Sequence, residues 1–489
     1  MPEPSRDPGF RAPTHGAGCL CCTPFTLSFN RRITADLSRR ALVMGLGASA
    51  STVGLGVYGA ARAQTPRPAG RGPVVFRNVR LFDGEADALR DGLAVTVEGE
   101  RIAAVRSADA PAPEGARVVD GRGGVLMPGL IDAHWHAILA AVPQAAALTA
   151  DPGYLHIVAA EEAERTLLRG FTSVRDCAGP AFALKRAIDE GFVAGPRIYP
   201  SGAMISQTAG HGDFRSTTEL PRFPNAGPSH MEAVGGGAVA DGRAEVLRRV
   251  REQLMLGAAQ IKLAAGGGVA SPYDPIEVVQ YTEDELRAAV QAAADYGTYV
   301  MVHAYTPEAV RRAIRAGVRC IEHGHLIDDA TAEMMAETGT LWSVQPFFDD
   351  EDAIPFADPA SRAKQIQVAE GTARAYRLAR KHGIPIAFGT DVLFDPDLAT
   401  RQGKMLGKLG PFFSNIDVLK QATSVAARYL AECGVRNPYP APLGVVAPGA
   451  WADLLLVDGD PTADLGLFAA PERALRGIMK NGAFARDPG

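Results

Sequence analysis

The residues best suited to chemistry in this 489-residue chain are His134 and His136, flanking Trp135, followed by Lys262, His303, His323 and Asp391. They span about 260 positions, so only a folded chain can gather them. Imidazoles and carboxylates with no thiolate beside them suit zinc or a similar divalent ion. A single buried histidine is more often a satisfied core residue than a ligand. The joint set reads differently, because each member closes a short apolar run: Val-Leu-Met-Pro-Gly-Leu-Ile-Asp-Ala before His134, Gln-Ile before Lys262, Tyr-Val-Met-Val before His303, Val-Arg-Cys-Ile-Glu before His323 and Ile-Pro-Ile-Ala-Phe-Gly-Thr before Asp391.

Such runs, each followed by a helical pattern, read as buried parallel strands. Helical spacing recurs over 159–169, 243–256, 283–296, 307–316, 330–338 and 360–381, each stretch lying between two candidate strands. Alternation of this kind predicts a parallel α/β fold, a (β/α)8 barrel over 127–439, whose strand ends converge on one mouth. Both flanks instead alternate apolar and polar residues in short runs, as in Leu93-Ala94-Val95-Thr96-Val97 and Ala452-Asp453-Leu454-Leu455-Leu456-Val457. Sheets need partners, so 64–126 and 440–489 are expected to join as one small β-sandwich domain. Asp453 and Asp460 read as structural residues of that domain. The insertion 206–237 is rich in Gly, Pro and Ser without a clear period, and a long loop after a strand is where specificity resides.

The His-x-His opening with the later Lys, His, His and Asp in that order resembles the amidohydrolase superfamily, from about Val74 to Ala485. The resemblance implies a binuclear site. His134, His136 and Asp391 would hold one ion, His303 and His323 the other, and Lys262, carboxylated by CO2, would bridge them. A lysine with an ordinary pKa near ~10.4 is a cation that repels metal, whereas its carbamate is an anionic oxygen ligand.

Two further motifs, Thr208-Ala209-Gly210-His211-Gly212-Asp213 and Tyr305 two residues after His303, resemble the branch that includes Xaa-Pro dipeptidase-like, imidazolonepropionase-related and ochratoxin A-degrading amidohydrolases. There the matching His and Tyr contact the scissile carbonyl; the alternative is that His211 orders its loop and Tyr305 packs. Ala265-Gly266-Gly267-Gly268-Val269 also matches that branch. No Gly-Lys-Ser/Thr follows, so it is a poor phosphate loop and a better mobile or close-packed wall beside Lys262. Trp135 either packs below the metals or narrows the pocket. Arg215, beside His211, and His325, two residues after His323, are candidates for substrate binding.

Residues 1–63 read as a twin-arginine export signal, with Ser38-Arg39-Arg40-Ala41-Leu42 and then Ala61-Arg62-Ala63 before Gln64. Cleavage there implies a periplasmic or secreted protein with no membrane partner. It also removes seven basic and three acidic residues, taking the net charge from −5 to about −9. Nothing basic then remains to bind nucleic acid. Of the six cysteines, cleavage would leave Cys177, Cys320 and Cys433, too few and too odd for a disulfide framework.

Three functions follow. One is a metal-dependent hydrolase of peptide-like amides that releases a C-terminal amino acid, with ochratoxin A as an aromatic case. Asp391 would be the base and His211 and Tyr305 the oxyanion donors. The second is a cyclic-amide hydrolase or deaminase using the same centre, and the third a binding protein that has lost the chemistry. The full ligand set speaks against the third. The partner is a small-molecule amide, and a homo-oligomer stays open.

Overall fold

The computed structural model describes residues 72–220 and 227–489. The export signal expected in 1–63 lies outside them. Five strands open the described chain: β1 (Val74–Leu81), β2 (Arg90–Glu98), β3 (Arg101–Ser107), β4 (Arg117–Asp120) and β5 (Val125–Pro128). Ten follow in the middle: β6 (Leu130–Trp135), β7 (Phe171–Asp176), β8 (Arg197–Pro200), β9 (Met204–Ser206), β10 (Gly237–Val239), β11 (Ile261–Ala264), β12 (Val300–Ala304), β13 (Cys320–His323), β14 (Leu341–Ser343) and β15 (Ile386–Ala387). The last three are β16 (Leu454–Val457), β17 (Leu475–Lys480) and β18 (Ala483–Arg486).

The two ends of the described chain meet, as their alternating patterns require. They form one mixed sheet of eight strands, ordered β18-β17-β16-β5-β1-β2-β3. The sheet branches at β1, where β4 pairs with residues 74–77 and β5 with residues 80–81. Its inward positions, among them Phe76, Leu81, Val95, Leu126, Leu454 and Met479, make an apolar cluster of their own.

All ten middle strands pair in parallel, in sheets of three (β6-β7-β8) and seven (β10-β9-β11-β12-β13-β14-β15). Backbone hydrogen bonds span the gaps between the two ladders. Ala259 N donates to Pro200 O at 2.8 Å beside β8, and Ala133 N donates to Phe388 O at 2.8 Å, just past β15. Nearly every residue of these strands is buried, which is why they read as continuous apolar runs.

The helices between them fall where the spacing predicts: Pro152–Leu168, Gly242–Leu256, Glu283–Asp295, Pro307–Arg315, Asp329–Thr338 and Pro359–Lys381. Their starts are written locally. Thr282 and Glu285 form a capping box, and Asp358 accepts from Ser361 N ahead of Pro359 at the first helical position. No helix among the described residues is long and apolar enough to cross a membrane.

Candidate active site

The loops after the parallel strands surround one cavity, and its walls include His134, His136, His211, Lys262, His303, Tyr305, His323 and Asp391. His134 is the fifth residue of β6, His303 the fourth of β12, and His323 closes β13. Lys262 is the second residue of β11, deeper than its motif suggested. Asp391 lies four residues beyond β15, and its backbone N donates to His134 O at 2.8 Å. That contact is close because residue 389 is glycine: a Cβ there would lie 2.7 Å from the Cβ of His134.

Asp391 Oδ1 stands 3.2 Å from His134 Nε2 and 2.8 Å from His136 Nε2. One ligand atom from each of the three residues lies within 4.8 Å of the others. The His323 ring is 4.9 Å from that of His134 and 4.4 Å from that of His303. His323 Nδ1 is buried without a hydrogen-bond partner among the described residues and sits 4.0 Å from Asp391 Oδ2. Burial first, and then the neighbouring histidines, hold His303 and His323 well below the usual imidazole range. Burial opposes ionisation of Asp391, but the surrounding histidines outweigh it and hold the carboxyl well below its usual range. His303 and His323, neutral beside an ionised carboxylate, are in the state in which such groups bind a metal. Burial of His134 is outweighed by the neighbouring Cys177 and Asp391, which hold that imidazole well above its usual range, so it must shed its proton on binding. The donor set therefore fits divalent ions. Lys262 is 2% exposed and has no ion-pair partner among the described residues, a costly place for an ammonium.

Hydrogen bonds decide which ring nitrogen each histidine offers. His134 Nδ1 lies 2.7 Å from Glu322 Oε2, which leaves Nε2 toward Asp391. His303 Nε2 lies 2.9 Å from Gly267 O, which leaves Nδ1 free. Glu322 in turn is held by buried Arg175, whose Nη2 donates to Oε1 at 2.6 Å. Asp132 ties strand to loop, accepting from His134 N at 3.0 Å, Thr390 N at 3.1 Å and Thr390 Oγ1 at 2.7 Å. Reading by motif missed Glu322, Arg175 and Asp132. The available signal was charge: each is an ionisable residue inside a fully buried strand.

His211 stacks on His303 with ring centroids 3.9 Å apart, and Tyr305 meets His303 edge-on at 4.8 Å. His211 Nδ1 is 2.7 Å from Ser271 Oγ and 3.4 Å from Asp274 Oδ2. The glycine-rich segment is a close-packed wall, since a Cβ on Gly268 would fall 1.9 Å from His211 Nδ1.

Three residues stand apart from the cavity. Arg215 is buried against Asp213, with Nε 2.7 Å from Oδ1 and Nη2 2.6 Å from Oδ2, so its guanidinium is engaged and does not form the wall. His325 lies behind the wall, stacked on Phe347 at 5.0 Å, and its Nε2 is 2.9 Å from Gln345 O. Trp135 packs in the core under Arg169 and does not narrow the pocket. The outer wall is instead apolar, with Phe214, Phe347, Phe348, Ile354, Phe356 and Phe394.

A model of the amidohydrolase family matches residues 125–484. The chain belongs to the amidohydrolase family. This amidohydrolase is 31% identical over 433 residues to the ochratoxinase of Aspergillus niger, covering 84% of this chain and 86% of that protein. It is 28% identical over 430 residues to the imidazolonepropionase of Anaeromyxobacter sp. (strain K), covering 82% and 92%. Among solved structures, a prolidase complexed with N-methylphosphonate-L-proline superposes with a TM-score of 0.77 at 36% identity, over 84% of this chain and 99% of that one. The amidohydrolase is thus a hydrolase of the type that includes these three.

Proposed function

We propose that the amidohydrolase cleaves a peptide-like amide, releasing a C-terminal amino acid from an N-acyl amino acid or dipeptide, including amides like ochratoxin A. The work would be done at the mouth of a (β/α)8 barrel whose eight strands are β6–β8 and β11–β15, with β9 and β10 as an added edge pair and the end sheet as part of a small β-sandwich. The carrying observation is that His211 and Tyr305 flank His303 in the same cavity wall as the ligand set. The names of the ochratoxinase and prolidase relatives favour the same reading.

His134, His136 and Asp391 would hold one divalent ion, most simply zinc, and His303 and His323 a second, with Lys262 as its carbamate between them. Two such ions supply a water of lowered pKa and a polarised carbonyl. Asp391, ionised and facing the cavity, accepts the proton of the attacking water and passes it to the leaving amine. His211 and Tyr305 donate to the oxygen on which charge develops. The phenylalanines of the outer wall take the apolar part of the substrate. With Arg215 engaged by Asp213, Lys262 is the single Lys or Arg in the wall among the described residues.

The likeness to an imidazolonepropionase keeps a cyclic amide as the second reading. A screen of metal-loaded protein against N-acyl amino acids, dipeptides and cyclic amides, scored by released amine, separates the two. Chelation should abolish the activity, and zinc, cobalt or manganese should restore it. His211→Asn and Tyr305→Phe should each lower turnover ~10²–10³-fold with both metals still bound. Parent rates on linear amides in both variants would overturn the peptide-like reading.

A further inference from the structure

Helix Pro359–Lys381 contributes Gln365, Val368 and Ala369 to the cavity wall, and one residue earlier it carries a lysine that faces the glycine-rich loop. Lys364 Nζ donates to three backbone carbonyls, Gly268 O at 3.0 Å, Ser271 O at 3.0 Å and Asp274 O at 2.9 Å. An ammonium has three donors and no acceptor, so this tripod uses all of them. The loop it closes holds both faces of the stacked histidine pair. Gly267 O receives the Nε2 of His303, while Ser271 Oγ and Asp274 Oδ2 face Nδ1 of His211. Asp274 Oδ2 also accepts from Gly268 N at 2.7 Å, which folds the loop back on itself.

We infer that Lys364 is a positioning residue, an ammonium clamp that fixes loop 266–274 and through it sets His211 and His303 for the reaction. The inference rests on the reaction proposed above but adds a residue outside the ligand set and outside the oxyanion pair. Without the ammonium, three carbonyl oxygens converge on one another with no donor between them. The loop then relaxes, and the contact between His211 and Gly268 is too tight for that motion to leave the ring in place. Displacements near 1 Å at a reacting centre cost on the order of 10²-fold in rate.

The test uses the full chain with Lys364→Met, Lys364→Gln as a milder variant, and Lys381→Met as a control at the far end of the same helix, where Lys381 pairs with Asp329 on the surface. Hydrogen exchange of metal-free protein should rise in peptides covering 265–275 in Lys364→Met, rise less in Lys364→Gln, and stay at the parent level in the control. On whichever amide the screen identifies, Lys364→Met should lower turnover roughly 10- to 100-fold with KM little changed. The same substitution in a His211→Asn background should cost under about 3-fold, because the clamp acts through that ring. Unchanged exchange over 265–275 overturns the clamp. Equal losses in both backgrounds reduce Lys364 to a stabilising contact and overturn its positioning role. Should no amide be hydrolysed, the reaction reading fails by itself and the exchange data alone decide whether the clamp exists.

Discussion

Glu322 and Asp391 flank the two nitrogens of His134, and their duties separate. Glu322 accepts the hydrogen bond from Nδ1–H and so aims Nε2, while Asp391 faces the cavity. Removing a carboxylate that orients a ligand typically costs 10- to 100-fold in metal affinity. Glu322→Gln should therefore weaken metal binding by about that factor in a chelator competition, and it should also lower stability because Arg175 loses its partner. Asp391→Asn keeps an oxygen near both histidines but removes the proposed base. Turnover should fall ~10²–10⁴-fold while the metal is weakened far less. Near-parent turnover in Asp391→Asn would move the base elsewhere. Backbone strain adds to the case for function at these positions. His323 and Asp391 have φ of 75° and 54°, left-handed values that non-glycine residues hold at a cost of roughly 1–3 kcal/mol each.

At the scale of elements, the outer wall depends on a loop of few regular hydrogen bonds. Residues 346–356 carry four of the wall's apolar side chains and are pinned through Asp352. Arg401 Nη1 lies 2.9 Å from its Oδ1, and Lys404 and Lys408 each place Nζ 3.0 Å from Oδ2. Burial opposes ionisation of Asp352, yet the three cations outweigh it and pull the carboxyl from 3.8 down to about 2. The folded form thus releases the proton more readily than the unfolded one. Its contribution is complete above about pH 4 and is lost as the pH falls toward 2. Arg401 and Lys404 are 39% and 38% exposed, so screening limits the contribution to about 1–2 kcal/mol. Denaturant unfolding from pH 5 down to pH 2 should show that much less acid sensitivity in Asp352→Asn than in the parent. Parallel acid limbs would remove Asp352 as the pin.

For the molecule as a whole, the end sheet is fastened to the parallel strands by a buried ion pair. Arg197 in β8 places Nε 2.8 Å from Asp453 Oδ2, and Asp453 also accepts from Asn481 N at 2.8 Å. Asp453 O receives Gly129 N at 2.9 Å, between β5 and β6. Asp453→Ala leaves a buried guanidinium unpaired, a loss of about 3–5 kcal/mol. Equilibrium unfolding should show that drop, while turnover per folded molecule stays at the parent level because Asp453 is outside the cavity wall. A turnover loss without a stability loss would contradict this structural role.

Periodicity and composition determine much of this protein. Apolar runs placed the strands that carry His134, Lys262, His303 and His323, and helical spacing with local caps placed six helices to within a few residues at most ends. One exception is Pro152–Leu168, whose first turns carry exposed Tyr154 and Ile157 and blur the apolar stripe. The order of the ligand residues pointed to the family. What the tertiary structure decided was pairing. Arg215 sits beside His211 in sequence, but its fork turns to Asp213 and away from the cavity. Glu322 adjoins His323 in sequence, yet it serves His134, 188 positions away. The end strands announced a sheet, but only their hydrogen bonds showed eight strands in one branched ladder. The reason is physical: periodicity records which face of an element is buried, whereas a buried charge takes whichever partner the completed fold brings within hydrogen-bond reach, at a distance along the chain that no local pattern encodes.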